Sequence, residues 1–111
     1  MRYDKMTLKA QEALQEADSL AHSFNHPSLE VEHLLLALLE QKDGVIRPLL
    51  ERIGADPGET TTAVRRALSQ KPKVHGDAAQ QTMSPRLSKV LNKAEQEADG
   101  LKDEFTSTEH L

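Results

Sequence analysis

Glu32-His33-Leu34 returns at the end of the chain as Glu109-His110-Leu111, 77 residues later. A tripeptide can recur by chance, but the residues ahead of each copy keep the same register. Ala10, Ala13, Leu14, Ala17, Ala21 and Phe24 recur with the three- and four-residue period of one helix face, and the same offset gives Leu87, Val90, Leu91, Ala94, Ala98 and Leu101. Six shared apolar positions, each set followed by the same tripeptide, indicate a duplicated helical module rather than two unrelated amphipathic helices. The fold must therefore reconcile two related halves within 111 residues, enough chain for one compact core but not for two independent ones.

The centre of the first half is Leu29 to Gln41. From Leu34 to Leu39 every side chain is apolar, so a helix here has no polar face and is expected to be covered by neighbours on all sides. The other elements follow from local signals. Thr7 reads as an N-cap, with Lys9, Gln11, Glu12, Gln15, Glu16, Asp18 and Ser19 on the outer face of the helix after it. Asn25 to Ser28 break the chain, and Glu30 caps the central helix. Val45, Ile46, Leu49, Leu50 and Ile53 form a short stripe in which Pro48 is tolerable only in the first turn, and Gly54 suits a left-handed terminus. Asp56-Pro57 read as cap and first residue of a fourth helix carrying Val64, Ala67 and Leu68 inward. Periodicity then vanishes until Ser84-Pro85 repeats the cap-then-Pro pattern, with Ser107 standing where Glu30 stands in the first half. The expectation is an all-α fold of duplicated four-helix repeats filling 1–111: repeat one about 6–70, a linker about 71–82, and repeat two from 83, incomplete.

Composition narrows function by exclusion. A net charge of −4 with no basic block argues against a nucleic-acid surface, and three aromatic residues cannot build base-stacking platforms. There is no cysteine for a disulfide or thiolate site. No apolar stretch is long enough to span a membrane and the charged start has no leader pattern, so the chain reads as soluble and cytoplasmic. Catalytic residues are expected to be absent, since no nucleophile–base or metal constellation is visible. His22 and His26 lie four apart, a spacing that can ligate a metal, but without a third ligand they read as solvated histidines. His33 and His110 hold equivalent third positions after their caps, and their duplication points to a structural role.

Met6-Thr7-Leu8-Lys9-Ala10-Gln11-Glu12-Ala13-Leu14, Glu32-His33-Leu34-Leu35-Leu36-Ala37-Leu38-Leu39-Glu40, Leu49-Leu50, Ser84-Pro85-Arg86-Leu87 and Thr108-Glu109-His110-Leu111 together resemble the Clp N-terminal domain family. Within it, the Gln11-Glu12-Ala13-Leu14 opening and Lys71-Pro72-Lys73-Val74 look most like the ClpB-type protein disaggregases. The resemblance implies a pseudo-twofold pair of four-helix repeats, of which the second continues past the position of Leu111, so the chain is expected to be part of a longer protein. It also implies a stress-responsive chaperone whose ATP and Mg sites and coiled-coil insertion lie in AAA+ modules elsewhere. No phosphate-binding G-x-x-x-x-G-K-[ST] loop is present here, so this segment itself is expected to hold no cofactor and to be no enzyme. Implied partners are unfolded or aggregated polypeptides, the DnaK chaperone system through other domains, and five further copies in a homohexamer. By the same resemblance Thr7, Leu91, Asp103 and Glu109 match positions of substrate binding. Thr7 reads equally well as a cap, Leu91 as core, Asp103 as a loop solvator and Glu109 as a first-turn acid favourable to a helix dipole. An adaptor-docking domain of a ClpA- or ClpC-type protease-coupled unfoldase is the alternative.

Overall fold

The computed structural model describes residues 6–41, 43–71, 82–101 and 105–111. Helix α1 spans Leu8–Ser23, α2 Val31–Glu40, α3 Ile46–Arg52, α4 Pro57–Ser69 and α5 Pro85–Gly100, and a 3-10 turn occupies Thr108–His110. Two very short strands, β1 (Ser28–Leu29) and β2 (Thr82–Met83), pair in parallel. The fold is all-α as expected, and these two-residue pairings serve as stitches between helices.

Each helix begins where its sequence supplies a partner for unpaired amides. Thr7 Oγ1 accepts from the Ala10 N–H at 3.3 Å, and Ser84 Oγ accepts from the Leu87 N–H at 3.1 Å. Asp56 accepts from the Gly58 and Glu59 amides ahead of Pro57, which needs no amide partner at the first position. Pro48 sits in the first turn of α3, and Gly54, at φ +87°, takes the left-handed conformation beyond its end.

Helix α2 is the hub. One face meets Ala13, Ala17 and Ala21 of α1 and Leu87 and Leu91 of α5 through Leu34, Ala37 and Leu38. The opposite face, Leu36 and Leu39, meets Val64 and Leu68 of α4, with Phe24 and Leu50 closing the edge. An apolar run without a polar face is thus buried from two sides, as the sequence requires. The small side chains of α1 permit close approach of the two helices. Three details depart from the sequence expectation. Leu35 is only half-buried, Ala67 is exposed, and α3 buries none of its residues fully. A seven-residue helix can turn one narrow face inward, and it turns Ile46 and Leu50; Val45, Leu49 and Ile53 then face solvent.

The duplication is written in backbone hydrogen bonds. Met6 pairs with Thr106 in a parallel bridge, and the Thr7 N–H donates to the Thr106 carbonyl at 2.9 Å. Adding the offset of 77 to one strand and subtracting it from the other gives the second seam: Met83 pairs with Leu29, and the Ser84 N–H donates to the Leu29 carbonyl at 3.0 Å. In each half the residue directly before the first helix donates its amide to the residue two positions before the other half's second helical element. The segment read as a linker lies outside the described residues between Lys71 and β2.

Truncating Leu36 at the fully buried centre of α2 is expected to cost roughly 2–5 kcal/mol, whereas Ile53→Ala, at a site 77% exposed, should change stability by less than about 0.5 kcal/mol. Urea denaturation of both variants checks this, and similar losses in the two would contradict the assigned packing.

Candidate functional site

The segment around Met6 is held at three points. Its backbone is paired to Thr106, the Thr7 hydroxyl caps α1, and Gln11 Nε2 donates to the Met6 carbonyl at 3.0 Å. Pairing with Thr106 brings the start of α1 beside the turn that carries Glu109, so Thr7 and Glu109, 102 positions apart in sequence, share one edge. Apolar side chains flank the bridge on the chain itself. Leu8, directly after Thr7, is 75% exposed, and Phe105, directly before Thr106, is 48% exposed. Glu109 is exposed, and its carboxyl lies below the usual range chiefly because the Ser107 hydroxyl donates to it. It is therefore an anion at neutral pH.

The other resemblance-derived positions fare differently. Leu91 is 2% exposed and packs with Leu34, Leu38 and Leu87 in the core. Its place in the apolar stripe of α5 turns its side chain into the core rather than toward the Thr7–Glu109 edge. Asp103 lies outside the described residues.

The pseudo-equivalent edge is built differently. Glu32, the counterpart of Glu109, is mostly covered and meets both Lys71 Nζ, at 3.1 Å, and the Arg86 guanidinium. Lys71 also approaches Glu30, at 4.0 Å. These charges bind the end of α4 and the start of α5 to α2. Beside them a cleft of about 220 Å³ is lined by His26, Pro27, Ser28, Glu30 and Lys71. Sequence reasoning missed this ion-pair group and the Met6 bridge. A signal for the bridge was present, since Met6-Thr7 and Met83-Ser84 stand in register with each other.

The histidines behave as the duplication implied at two positions and against expectation at a third. The Glu30 N–H donates to His33 Nδ1 at 2.9 Å, and the Ser107 N–H donates to His110 Nδ1 at 2.9 Å. Each imidazole thus reaches back to the amide of its own cap residue, the role usually filled by Glu or Gln three residues into a helix. His26, however, is not solvated beside His22. Its Nδ1 lies 2.7 Å from His33 Nε2, its ring stacks on Phe24 with centroids 5.3 Å apart, and it is buried, whereas His22 is exposed and contacts the Asp18 carbonyl. No group of three or more His, Cys, Asp or Glu able to hold a metal occurs among the described residues.

Burial lowers the His33 imidazole from its ordinary 6.5 to about 4, with the neighbouring His26 and Lys71 acting in the same direction and Glu30 opposing them. Between these values the unfolded chain binds a proton that the folded chain refuses. The stabilisation from this group is thus complete above 6.5, falls progressively as pH drops toward 4, and is gone below that. Its size is at most about 3 kcal/mol. Urea midpoints measured from about pH 7 down to about pH 4.5 should fall, and His33→Gln, which keeps an acceptor for the Glu30 amide, should fall less steeply. Parallel profiles would show that His33 does not carry the effect.

Comparison with known proteins places these features in a family. The description of the Clp repeat (R) N-terminal domain matches residues 5–111. The chaperone protein ClpB of Pseudomonas putida is 40% identical over 109 residues, which is 98% of this chain but 13% of that protein. The chain thus spans a small part of the curated relatives it matches. Among solved structures, the Hsp104 N-terminal domain from Candida albicans superposes with a TM-score of 0.86 at 23% identity, covering 96% of this chain and 69% of that one. A complex of the ClpV N-domain with a VipB peptide superposes with a TM-score of 0.74 at 23% identity, covering 93% and 62%. At that identity both establish the fold alone.

Proposed function

Because the chain belongs to the Clp repeat N-terminal domain family, we propose that it is the client-recognition module of an ATP-driven disaggregase of the ClpB type. The observation that carries this reading is the Met6–Thr106 bridge, which sets Thr7 and Glu109 on one edge between exposed Leu8 and Phe105. An apolar surface with a polar rim suits unfolded or aggregated segments, because hydrophobic contact makes few demands on sequence and a shallow edge accepts many partners. Modest affinity fits the role, since a client must be released onward. Thr7 and Glu109 orient the client backbone, and Asp103 joins them by the family resemblance. ATP and Mg bind in modules of the longer protein, which works as a cytoplasmic homohexamer with the DnaK chaperone system. No described helix is long and apolar enough to cross a membrane.

A second reading has its own support. Val45, Leu49 and Ile53 leave an exposed apolar stripe on α3, a patch of the kind a folded adaptor of a ClpA- or ClpC-type unfoldase would cover. The solved ClpV N-domain complex holds a defined VipB peptide, so a domain of this fold can serve a specific partner.

Titration with a permanently unfolded protein, followed by nuclear magnetic resonance, separates the two. Under the client reading, Thr7, Leu8, Phe105 and Glu109 shift, Arg65, Arg66 and the α3 stripe do not, and added salt changes affinity little because the contact is mainly apolar. Thr7→Ala and Glu109→Ala should weaken binding several-fold while stability falls by no more than about 1 kcal/mol. Shifts confined to α3 or to Arg65 and Arg66, or an equal response to a folded control, would replace the client reading with the adaptor one.

A further inference from the structure

The two buried imidazoles form a hydrogen-bond chain with only one compatible proton arrangement. The Glu30 amide donates to His33 Nδ1, so that nitrogen is bare and the neutral ring carries its proton on Nε2. His33 Nε2–H then donates across 2.7 Å to His26 Nδ1, which is bare in turn and leaves the His26 proton on Nε2. A proton added to His26 Nδ1 sets two N–H groups against each other. Moving the His33 proton to Nδ1 relieves that opposition but sets an N–H against the Glu30 amide. Any single added proton therefore removes at least one of the two bonds, wherever it settles.

Those bonds hold the segment that joins the halves. His26 and Glu30 bracket β1, whose Leu29 carbonyl accepts from the Ser84 N–H at the first turn of α5. We propose that the His26–His33 pair is an acid-released latch on this seam: proton uptake by the pair frees the segment from His26 to Glu30 and loosens β1 from β2. Among the described residues, two charged side chains act on His33. Glu30, at the cap of α2, opposes release by favouring a cation, and Lys71, after α4, promotes it; Glu32 holds Lys71 in place and is shared with Arg86 of α5. From the end of α1 the contact is the Phe24 ring, stacked on His26. The cleft lined by His26, Pro27, Ser28, Glu30 and Lys71 lies over the same segment, so release would also reshape it. The depressed basicity of His33 agrees with a closed state that resists protonation and an open state that accepts it. This inference rests on the fold and is independent of what the Thr7–Glu109 edge binds.

Imidazole nitrogen spectra of the 111-residue protein at about pH 7.5 should place both protons on Nε2, for His26 and for His33. Amide hydrogen exchange, corrected for the intrinsic effect of pH, then reads the seam. Lowering pH from about 7.5 to about 5 should reduce protection of the Ser84 amide about tenfold or more relative to Leu68 in α4. The His26→Asn, His33→Gln double variant should lose that difference. An Nδ1–H tautomer on either ring, constant Ser84 protection relative to Leu68, or an unchanged acid response in the double variant would each overturn the latch. Should the double variant fail to fold, the tautomers and exchange of the unmodified protein decide the question on their own.

Discussion

Two backbone hydrogen bonds, from Thr7 to Thr106 and from Ser84 to Leu29, fix the relation between the halves of this protein. Each lies one residue before a helix, where amides have no intrahelical partner and a cross-chain acceptor satisfies a group that would otherwise need water. Met6 is buried and Met83 is partly open, yet both occupy the same register in their seams. The symmetry thus resides in the backbone, while side chains are free to differ from one half to the other.

That freedom produces the asymmetry between the two edges. At one, Glu32 is engaged by Lys71 and Arg86 and braces the halves. At the other, Glu109 is exposed beside Leu8 and Phe105. A duplicated module can give one copy of a position to structure and leave the other to recognition, because the cap and the strand stitch already secure both. Histidine at the third helical position fits this economy: one ring caps the helix through Nδ1 and still has a second nitrogen to direct elsewhere, which in His33 reaches His26.

Much of the fold was legible because helix periods and caps are local. The α1 and α5 stripes, the Thr7, Ser84 and Asp56 caps and the buried α2 run all follow from spacing and residue chemistry. What was not legible depends on how the chain turns between elements. His26 follows His22 by one helical turn in sequence, but α1 ends at Ser23 and Asn25 adopts φ +59°, which redirects the chain and carries His26 inward. The α3 stripe has helical spacing on both sides, and only the position of α2 and α4 decides that Ile46 and Leu50 are inner. For the candidate site, the family resemblance named Thr7 and Glu109, and the bridge explains how they meet. Leu91 is in the core, as its period already indicated.

The direction of the Met6–Thr106 pairing has a mechanical side. The strands run parallel, so tension applied to the chain ahead of Met6 and beyond Thr106 pulls them in opposite senses along their common axis. Such a load shears the pairing rather than peeling it open, and it is shared between the Met6 segment and its anchors at Gln11 and Ala10. A load carried between those two ends would pass along this pairing, at the same edge that presents Thr7 and Glu109.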